Sequence, residues 1–451
     1  MRITRREFAR TATAAALAPG AALAQTGETS VRARLEGLLL RERSQSLQNL
    51  QALEERGGTD LISSLIFARR YTRTPRAMDR ALSNLTGASH RSWFDWMLWQ
   101  EANPQIASHP AYYDFKAETF LRIDPTWDVF LRLNYITPDA MRIRFEEVTW
   151  GGVVKDGIPS LDNPDLIPAE EAFYLRDDDL VFGVGINGDV RAYPLRIMGW
   201  HEMFNEVIGG VPVALAYCTL CGAGILFETD HPGHDETFVF GSSGFLYRSN
   251  KLMFDRQTDS LWNQFKGEPI SGPLVDSGIT LAQRPVVITE WARWRDANPG
   301  TRVLSLDTGF VRNYGSGVVY QEYFASDDLM FPALVDEQEN RQKDYVFGVR
   351  LAGGAKAWPL TAFDGARVIN DQVGFHNLVL VGDAATRTVR AYDRGELSFD
   401  QDLRADGAIW TLSEEALTAP DGRIAPRVAG HVSYWFAWAG YLGDSSDLWR
   451  E

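Results

Sequence analysis

The two cysteines of this 451-residue chain lie three positions apart, at Cys218 and Cys221, and Gly222 follows the second. An apolar run over residues 211–217 precedes them, and another follows over residues 225–227. This order predicts a turn between two buried strands, because the glycine and the short apolar runs do not fit a helix that opens with a cysteine pair. A glycine at positive φ closes such a turn and lets backbone N–H groups point at both sulfurs, which supports thiolate ligands or a reactive thiolate.

Three kinds of chemistry fit the cysteine pair. As a disulfide it would close a loop of four residues, which stabilises a fold by only about 2 kcal/mol. As a transition-metal centre bound by thiolates it needs further ligands, because two thiolates fill half of a tetrahedral site. As a redox or nucleophilic centre it needs only the pair and a polarising neighbour. The candidate further ligands are His201 first, and then His231, His234, Asp255 and Glu202.

His201 is the expected partner of the two cysteines, either as a third metal ligand or as a proton acceptor. It lies in residues 195–206, which are predicted to form a short helix. A glycine turn and a returning strand then lead to Cys218, so that the two side chains are expected to approach each other. The neighbouring Glu202 is expected to be solvated.

A polar, glycine-rich stretch over residues 241–250 is expected to form a wall of the same site. We expect it to offer Ser243, Tyr247 and Asn250 as hydrogen-bond donors to a cofactor or ligand, with Tyr217 beside the first cysteine. The alternative is a β-turn and strand with a purely structural role. The sequence contains no phosphate-binding loop, dinucleotide fingerprint, Gly-x-Ser-x-Gly motif or Cys-x-x-Cys-His haem motif.

The segments that must position these residues begin with a helical domain, predicted over residues 31–135. Leucines recur there at steps of three and four residues, as on the buried faces of amphipathic helices. Near Arg142 the hydrophobic period changes to two, which indicates strands. Asn187-Gly188, between two alternating runs, predicts a two-residue hairpin.

The remainder of the chain contains an internal repeat. Residues 181–209 align without gaps onto residues 346–374, with 10 identities in 29 positions, and a Trp-x-x-Trp helix is predicted to close each copy. We expect residues 140–325 to form a first β-rich repeat that carries the Cys-x-x-Cys site. Residues 326–451 are expected to form a second, degenerate repeat.

An Asp-Arg pair also matches between the copies. Asp255-Arg256 aligns with Asp393-Arg394 at a displacement of 138 residues instead of 165, so that the second copy would lack 27 residues after the cysteines. Because the pair occurs in both copies, we expect it to have a structural role.

The second copy lacks the residue types that carry chemistry in the first. Ala366 aligns with His201, and Asp383 and Thr386 align with the two cysteines. The shared residues are mainly apolar, glycine and proline, which a common backbone needs. The second copy is therefore expected only to complete the fold.

The composition restricts the partners of the protein. The 45 basic and 60 acidic residues give a net charge of −15, which disfavours nucleic acid and anionic membrane surfaces. No run reaches the ~20 apolar residues that span a bilayer, so no membrane span is predicted. The expected partner is an unknown small molecule or a redox partner protein.

Residues 1–24 are predicted to be an export signal. Four arginines precede an alanine-rich, weakly apolar stretch, and Ala22-Leu23-Ala24 is typical of a cleavage site. Residues 4–8 fit the twin-arginine pattern. We therefore expect the mature protein to be periplasmic or exported.

Six motifs follow one another over residues 155–262. They are KDGIPSLDN (155–163), AYPL (192–195), WHE (200–202), YCTLCG (217–222), SGFLYRSN (243–250) and DRQTDSLW (255–262). Their order resembles that of the bacterial domain-of-unknown-function family 3179, and the likeness covers roughly residues 140–440. Some members of this family are described as selenoproteins with selenocysteine in a Cys-x-x-Cys-type position, so the resemblance implies redox chemistry more than structural zinc.

The resemblance places Cys218 and Cys221 in that position here, with His201 close in the motif order. Family members commonly have proline after the first cysteine, where this chain has Thr219. This change is expected to alter the rigidity of the turn and the pKa of the thiols, and to leave the ligand set unchanged.

The sequence therefore predicts an α+β protein, in which an N-terminal helical domain precedes a duplicated, mainly antiparallel β-rich unit with short helices. The expected function is an exported thiol-based or metal-thiolate oxidoreductase of unknown substrate, with one of Cys218 and Cys221 reactive and the other resolving. The alternatives are a non-catalytic periplasmic metal- or ligand-binding protein that uses the same residues, and an interaction module with a structural disulfide.

Overall fold

The computed structural model describes residues 30–335, 337 and 339–451, so the predicted export signal over residues 1–24 lies outside the described residues. The chain divides into two compact units. One contains the described residues up to Arg91 together with Ile106–Lys116, and the other contains Ser92–Gln105 and Ala117–Glu451. The candidate site residues all belong to the second unit.

The smaller unit is helical. Helix α1 covers residues 30–37, and α2 (Arg43–Arg56), α3 (Ile62–Tyr71) and α4 (Pro75–Thr86) follow. Helix α2 ends where Gly57, at a φ of 67°, donates its backbone N–H to the carbonyl of Leu53. Leucines at the predicted helical spacing are buried, among them Leu35, Leu38, Leu50 and Leu53.

Seven further helices occur in the described chain, and most of them are short. They are α5 (Trp93–Ala102), α6 (Ala111–Leu121), α7 (Leu133–Ile136), α8 (Leu195–His201), α9 (Trp291–Ala297), α10 (Gln321–Ala325) and α11 (Trp435–Leu442). None of the helices in the described ranges has the length and apolar character needed to cross a bilayer.

Short strands make up most of the second unit. In chain order they are β1 (Val148–Trp150), β2 (Leu161–Asp162), β3 (Leu166–Pro168), β4 (Leu180–Ile186), β5 (Asp189–Pro194), β6 (Met203–Ile208), β7 (Val211–Cys218), β8 (Ala223–Glu228), β9 (Phe240–Tyr247), β10 (Asn250–Asp255), β11 (Leu261–Asn263), β12 (Glu268–Ser271), β13 (Gln283–Arg284), β14 (Val287–Glu290), β15 (Arg302–Leu304), β16 (Tyr345–Leu351), β17 (Gly354–Pro359), β18 (Arg367–Val373), β19 (His376–Asp383), β20 (Thr388–Asp393), β21 (Arg404–Ala405), β22 (Ala408–Ile409), β23 (Thr411–Leu412), β24 (Ala416–Thr418), β25 (Ile424–Val428), β26 (His431–Tyr434) and β27 (Asp447–Leu448).

Most neighbouring strands are antiparallel, and the pairs β2–β6, β5–β15 and β17–β27 are parallel. The main sheets have the orders β1-β9-β10-β11-β12, β13-β8-β7-β6-β2, β14-β4-β5-β15-β3, β26-β16-β17-β27 and β18-β19-β20-β25-β24-β23. The predicted α+β class, with helices before a mainly antiparallel β-rich part, is confirmed.

The internal repeat is present as a repeated strand order. The order β14-β4-β5-β15 recurs as β26-β16-β17-β27, and β13-β8-β7-β6 recurs as β25-β20-β19-β18. The register recurs too, since Val303 lies opposite Ala192 in one parallel pair and Leu448 lies opposite Ala357 in the other. Both copies contribute buried residues to one hydrophobic core.

The Asp-Arg match between the copies is wrong. Asp393 ends β20, which pairs with β19 as β8 pairs with β7, so the counterpart of Asp393 is Glu228 and not Asp255. The displacement of 165 residues therefore persists to the end of β8, and falls to 144 at helices α9 and α11. The second copy thus lacks 21 residues rather than 27, and it keeps the turn that corresponds to the cysteines.

An asparagine makes the same backbone clamp in each copy. The Asn205 amide on β6 donates to the carbonyl of Phe240 at 2.9 Å and accepts its N–H at 2.8 Å. Asn370 on β18 makes the same two hydrogen bonds with Phe399, at 2.7 and 2.9 Å. A position conserved between the copies therefore fastens a later segment to the equivalent strand.

A glycine lies under a tryptophan ring in each copy. A Cβ on Gly183 would lie 2.2 Å from Trp294, and a Cβ on Gly348 would lie 1.9 Å from Trp438. Both tryptophans are fully or almost fully buried. The helix of the Trp-x-x-Trp motif therefore packs directly on the backbone of β4 or β16, where only glycine leaves room.

The hairpin between β4 and β5 forms at Asn187-Gly188, as predicted. The two residues have φ values of 50° and 78°, and Ile186 lies opposite Asp189. Positive φ at both central positions matches the right-handed twist of the strands, so this turn fixes their register.

Helix α5 ends at a buried carboxyl group. Glu101 Oε2 accepts the backbone N–H of Leu334 at 2.7 Å. Burial raises the pKa of Glu101 to about 7, although this hydrogen bond acts to lower it. The charge of Glu147 adds to the rise. Glu101 therefore titrates in the neutral range in the folded chain.

We expect Gly348→Ala to lower the free energy of unfolding by about 1–3 kcal/mol, because the added methyl group overlaps the Trp438 ring and the packed core must shift. Gly183→Ala should act in the same way against Trp294. Urea unfolding measures the loss. Gly440→Ala in α11 is the matched control, since a Cβ there meets nothing within 4 Å, and it should be neutral or stabilising. Equal stability of Gly348→Ala and wild type would contradict the packing.

Glu101→Gln should flatten the pH dependence of stability between about pH 4.5 and 7. In this window the folded chain keeps a proton on Glu101 that the unfolded chain has lost, so the wild-type free energy of unfolding falls as pH rises, by about 3 kcal/mol. Urea unfolding at a series of pH values gives the slope. Glu170→Gln, at an exposed position, should keep the wild-type slope, and a similar slope in Glu101→Gln would disprove this assignment.

Candidate functional site

The cysteines lie in a tight turn between β7 and β8. Cys218 ends β7 opposite Ala223, the backbone N–H of Cys221 donates to the Cys218 carbonyl at 3.2 Å, and that of Gly222 donates to Thr219 at 3.3 Å. Gly222 closes the turn at a φ of 61°. The prediction of a glycine-closed turn between strands, rather than a helix start, is confirmed.

The two cysteines are free thiols in close contact. Their Sγ atoms are 2.7 Å apart, and the residues are 1% and 0% exposed. A disulfide bond needs about 2.0 Å between the sulfurs. A small movement within the turn would therefore bring the two sulfurs to the distance of a disulfide bond.

The second cysteine is held as a protonated thiol. Cys221 Sγ donates to the carbonyl of Ser249 at 3.6 Å. Burial raises the pKa of Cys221 well above its usual value, and its contact with Cys218 raises the pKa further. The backbone N–H of Lys251 acts in the opposite direction, and its effect is smaller.

Glu202 and Lys251 form a buried ion pair beside the turn. Lys251 Nζ lies 3.3 Å from Glu202 Oε2 and donates to the Glu202 backbone carbonyl at 3.1 Å. Thr219, inside the turn, donates its hydroxyl to Glu202 Oε1 at 2.7 Å. Both charged residues are almost fully buried, so these hydrogen bonds must compensate their lost hydration. The expectation that Glu202 is solvated is wrong.

The backbone of the helix end explains why Glu202 faces the turn. Glu202 follows α8 at a φ of 55°, in the left-handed region, and its carbonyl accepts the backbone N–H of Tyr217 at 2.8 Å. Consecutive residues of a helix point in different directions, so His201 is directed elsewhere. The left-handed conformation costs a non-glycine residue about 1–2 kcal/mol, which the hydrogen bonds of Glu202 offset.

His201 is engaged on the other side of α8. Its Nδ1 lies 2.9 Å from the carbonyl of Pro159. Because a carbonyl only accepts, Nδ1 carries the proton, and Nε2 accepts the hydroxyl of Tyr314 at 2.6 Å. Burial lowers the pKa of His201, which keeps the ring neutral. Both ring nitrogens are thus occupied by groups other than the cysteines.

The expected metal ligands do not come together. Within the described residues, no group of three or more His, Cys, Asp or Glu side chains is arranged to hold a metal ion. The set of Cys218, Cys221 and His201 is therefore not assembled as a ligand set. Asp255, a further candidate, accepts the indole N–H of Trp262 at 2.8 Å and has a structural role.

Two of the predicted ligand-binding residues make contacts within the fold. The Ser243 hydroxyl donates to the carbonyl of Leu252 at 2.6 Å, across the β9–β10 pair. Tyr247 is nearly buried, and burial followed by the charge of Glu147 raises the pKa of its hydroxyl. These contacts fit the structural alternative for the glycine-rich stretch.

Asn250 follows, in the chain, the residue whose carbonyl contacts the second cysteine. It follows the tip of the β9–β10 hairpin, where Arg248 and Ser249 have φ values of 48° and 62°, and the carbonyl of Ser249 accepts the Cys221 thiol. The Asn250 amide atoms and the Ser249 hydroxyl are buried without a hydrogen-bond partner in the described chain. Such atoms are rare in folded proteins, so this tip keeps hydrogen-bonding capacity for a ligand or water.

A narrow cleft reaches the first cysteine. It has a volume of about 30 Å³ and is lined by Cys218, Thr219, Glu202, Lys251 and Tyr320, among others. This is about the volume of one water molecule in the liquid. The cleft therefore places Cys218, rather than Cys221, next to the ion pair and to any small reactant.

The segment between the two copies, residues 305–344, is called the connecting segment. Three of its tyrosines contact residues of the site, and the sequence did not predict them. The Tyr323 hydroxyl donates to the carbonyl of Leu220 in the turn at 2.6 Å, Tyr320 lies 3.5 Å from Glu202, and Tyr314 contacts His201. The available signal was the recurrence of tyrosine in a polar, glycine-containing stretch that forms few regular elements.

The fold and site thus define a duplicated α+β protein with a buried dithiol in one copy. Residues 155–445 match the model of a family described as a protein of unknown function, DUF3179. Because the match covers more than half of the chain, the protein belongs to this family, as the motif order suggested. No curated protein and no solved structure matches the chain.

We expect Glu202→Leu to lower the free energy of unfolding by about 3–5 kcal/mol, because it leaves the Lys251 ammonium buried without its partner. The double variant Glu202→Leu/Lys251→Met should recover most of this loss. Urea unfolding of the set measures both effects.

The control for this set is Arg295→Ala, which removes the exposed ion pairs of Arg295 with Asp177 and Asp296 and should change stability by less than about 1 kcal/mol. If Glu202→Leu cost no more than this control, the pair would not be an important element of the site. If the double variant were as unstable as Glu202→Leu, the loss would arise from packing instead of an unpaired charge.

Proposed function

We propose that this protein is an exported thiol-based oxidoreductase in which Cys218 and Cys221 alternate between dithiol and disulfide. The observation that carries the proposal is the 2.7 Å separation of two free Sγ atoms in a turn closed by Gly222. A disulfide that closes a loop of four residues stabilises a fold little. Such a pair is therefore better suited to thiol–disulfide exchange than to a structural role. The arginine-rich N-terminal sequence supports export.

We propose different roles for the two sulfurs. Cys218 lines the cleft, so it is the sulfur that meets the oxidised partner. Cys221 lies deeper, and burial keeps it protonated. We therefore assign Cys218 as the attacking sulfur and Cys221 as the resolving one.

The reaction balances as a thiol–disulfide exchange. The Cys218 thiolate attacks one sulfur of a disulfide partner, a mixed disulfide forms, and the other partner sulfur leaves as a thiolate. Cys221 then loses its proton and attacks Cys218 Sγ, which releases the second partner thiolate. The chain gains one disulfide, two electrons pass to the partner, and the two protons convert its thiolates to thiols.

Glu202 is the group placed to receive a proton. It shares the cleft with Cys218, and its negative charge contributes to the raised pKa of Cys221. The cleft that both residues line has room for about one water molecule, which would carry the proton between them. His201, whose ring is bonded to Pro159 and Tyr314, is replaced in this role by Glu202.

Thiol titration of the folded mature chain tests the proposal. We expect two thiols after reduction, none after equilibration with oxidised glutathione, and a reduction potential above about −300 mV, since structural bridges lie lower. Cys221→Ser should accumulate a mixed disulfide with glutathione at Cys218, because the resolving sulfur is absent. Cys218→Ser should react slowly, because Cys221, unlike Cys218, does not line the cleft.

Two variants separate the proton acceptor from its neighbour. Glu202→Gln should slow oxidation of the pair without removing either thiol, whereas His201→Gln should leave the rate near that of wild type. Titration in denaturant provides the total thiol count for every variant. A bridge that resists reduction, with a potential below about −300 mV, would overturn the proposal in favour of a structural disulfide.

A further inference from the structure

A second, larger cavity lies on the opposite flank of the cysteine turn. It has a volume of about 470 Å³, within the range of small-molecule sites. Tyr217 and Gly222, the residues that flank the two cysteines, line it, and the second copy supplies Tyr345 and Arg387. The cavity therefore lies between the two copies of the repeat and includes both ends of the turn.

Arg387 brings an unpaired positive charge to this cavity. It is the counterpart of Gly222 in the turn between β19 and β20, and it adopts the same left-handed conformation at a φ of 55°. Its guanidinium lies over the Tyr345 ring, at 4.4 Å from the centroid, and donates to the Tyr345 hydroxyl at 2.9 Å. In the described chain it has no carboxylate partner.

Tyr217 brings an unused hydrogen-bond donor. Its side chain is almost fully buried, and its hydroxyl has no hydrogen-bond partner among the described residues. Burial raises the pKa of Tyr217 well above its usual value, and the charge of Arg387 opposes this rise. The hydroxyl therefore stays protonated and lies within electrostatic reach of the guanidinium.

The other charged side chains of the cavity are already paired. Arg196 donates to Asp179 at 2.9 Å and to the carbonyls of Tyr174 and Tyr314. Asp178, which is exposed, forms an ion pair with Arg176. Among the described lining residues, the Arg387 cation, the Tyr217 hydroxyl and the exposed Gln321 amide remain for a ligand.

Apart from several glycines and the side chains of Ser316 and Gln321, the rest of the lining is apolar. Leu180, Ile288, Val319 and Phe324 contribute hydrocarbon surface, and the Tyr345 ring adds an aromatic face. A guanidinium and a phenol hydroxyl above such a surface suit a carboxylate attached to an apolar body.

We propose that this cavity binds a small amphipathic monocarboxylate, whose carboxylate is held by Arg387 and Tyr217 and whose apolar part lies against Ile288, Val319 and Phe324. The inference does not rest on the proposed redox function, because neither sulfur lines the cavity. It gives the second copy a direct role in recognising a ligand.

Isothermal titration calorimetry with 4-phenylbutyrate tests this site on the full mature chain. We expect saturable binding, and we expect the neutral analogue 4-phenylbutyramide to bind about tenfold more weakly, because it cannot form the charge-assisted pair. Arg387→Met, which keeps an apolar chain over Tyr345, should reduce acid binding to the level of the amide. Tyr217→Phe should weaken acid binding by a smaller factor.

Two controls keep the result interpretable. Arg293→Met removes an arginine that pairs with Asp383 outside the cavity, and it should bind the acid like wild type. Val319→Trp fills the cavity from the connecting segment and should abolish binding of both compounds, with folding checked by circular dichroism. No binding of 4-phenylbutyrate, equal affinity for acid and amide, or unchanged affinity in Arg387→Met would each overturn the proposal.

The redox state provides a further separation. A Cys218→Ser/Cys221→Ser variant should bind 4-phenylbutyrate as wild type does, since the sulfurs do not touch the ligand. Binding that survives in this variant, together with an inert thiol pair in wild type, would keep the ligand site and reject the redox function. An active thiol pair in wild type, together with no binding of 4-phenylbutyrate, would keep the redox function and reject the ligand site.

Discussion

The buried ion pair between Glu202 and Lys251 is the constraint on which the site depends. Two charges removed from water destabilise a fold unless every remaining hydrogen-bonding position is satisfied. Thr219 satisfies one carboxylate oxygen, and the Glu202 carbonyl accepts from both Lys251 and Tyr217. Displacing any one of the helix end, the cysteine turn or the β9–β10 hairpin would therefore break the compensation, so the pair holds all three together.

Duplication explains why this arrangement exists in one copy only. The turn after β19 has the same backbone as the cysteine turn, with Arg387 in the left-handed position of Gly222. Between β20 and α11 the second copy is shorter by 21 residues than the first copy between β8 and α9, and it contains the short hairpin β21–β22. In the first copy this interval contains the longer hairpin of β9 and β10, which supplies Ser249 and Lys251. The cysteine site is thus an ordinary turn of the repeat, enclosed by a hairpin that is longer than the β21–β22 hairpin of the second copy.

The sequence predicts the local features well because each depends on neighbouring residues. The glycine-closed turn at Gly222, the hairpin at Asn187-Gly188 and the α+β class follow from periodicity and from positive φ. It does not predict that Glu202 rather than His201 contacts the cysteine turn, because the direction of two consecutive side chains depends on how the helix ends. Likewise, Lys251 comes from a strand 33 positions beyond Cys218, and only long-range packing reveals its contact.

The second copy does more than complete the fold. It supplies Tyr434, whose backbone N–H donates to the carbonyl of Cys221 at 2.7 Å, and Tyr345, whose ring packs against Gly222. A side chain at Gly222 would meet that ring at 3.1 Å, so the glycine serves the interface between the copies as well as the turn. The cysteine turn therefore lines two spaces, the narrow cleft through Cys218 and Thr219 and the larger cavity through its flanking residues Tyr217 and Gly222.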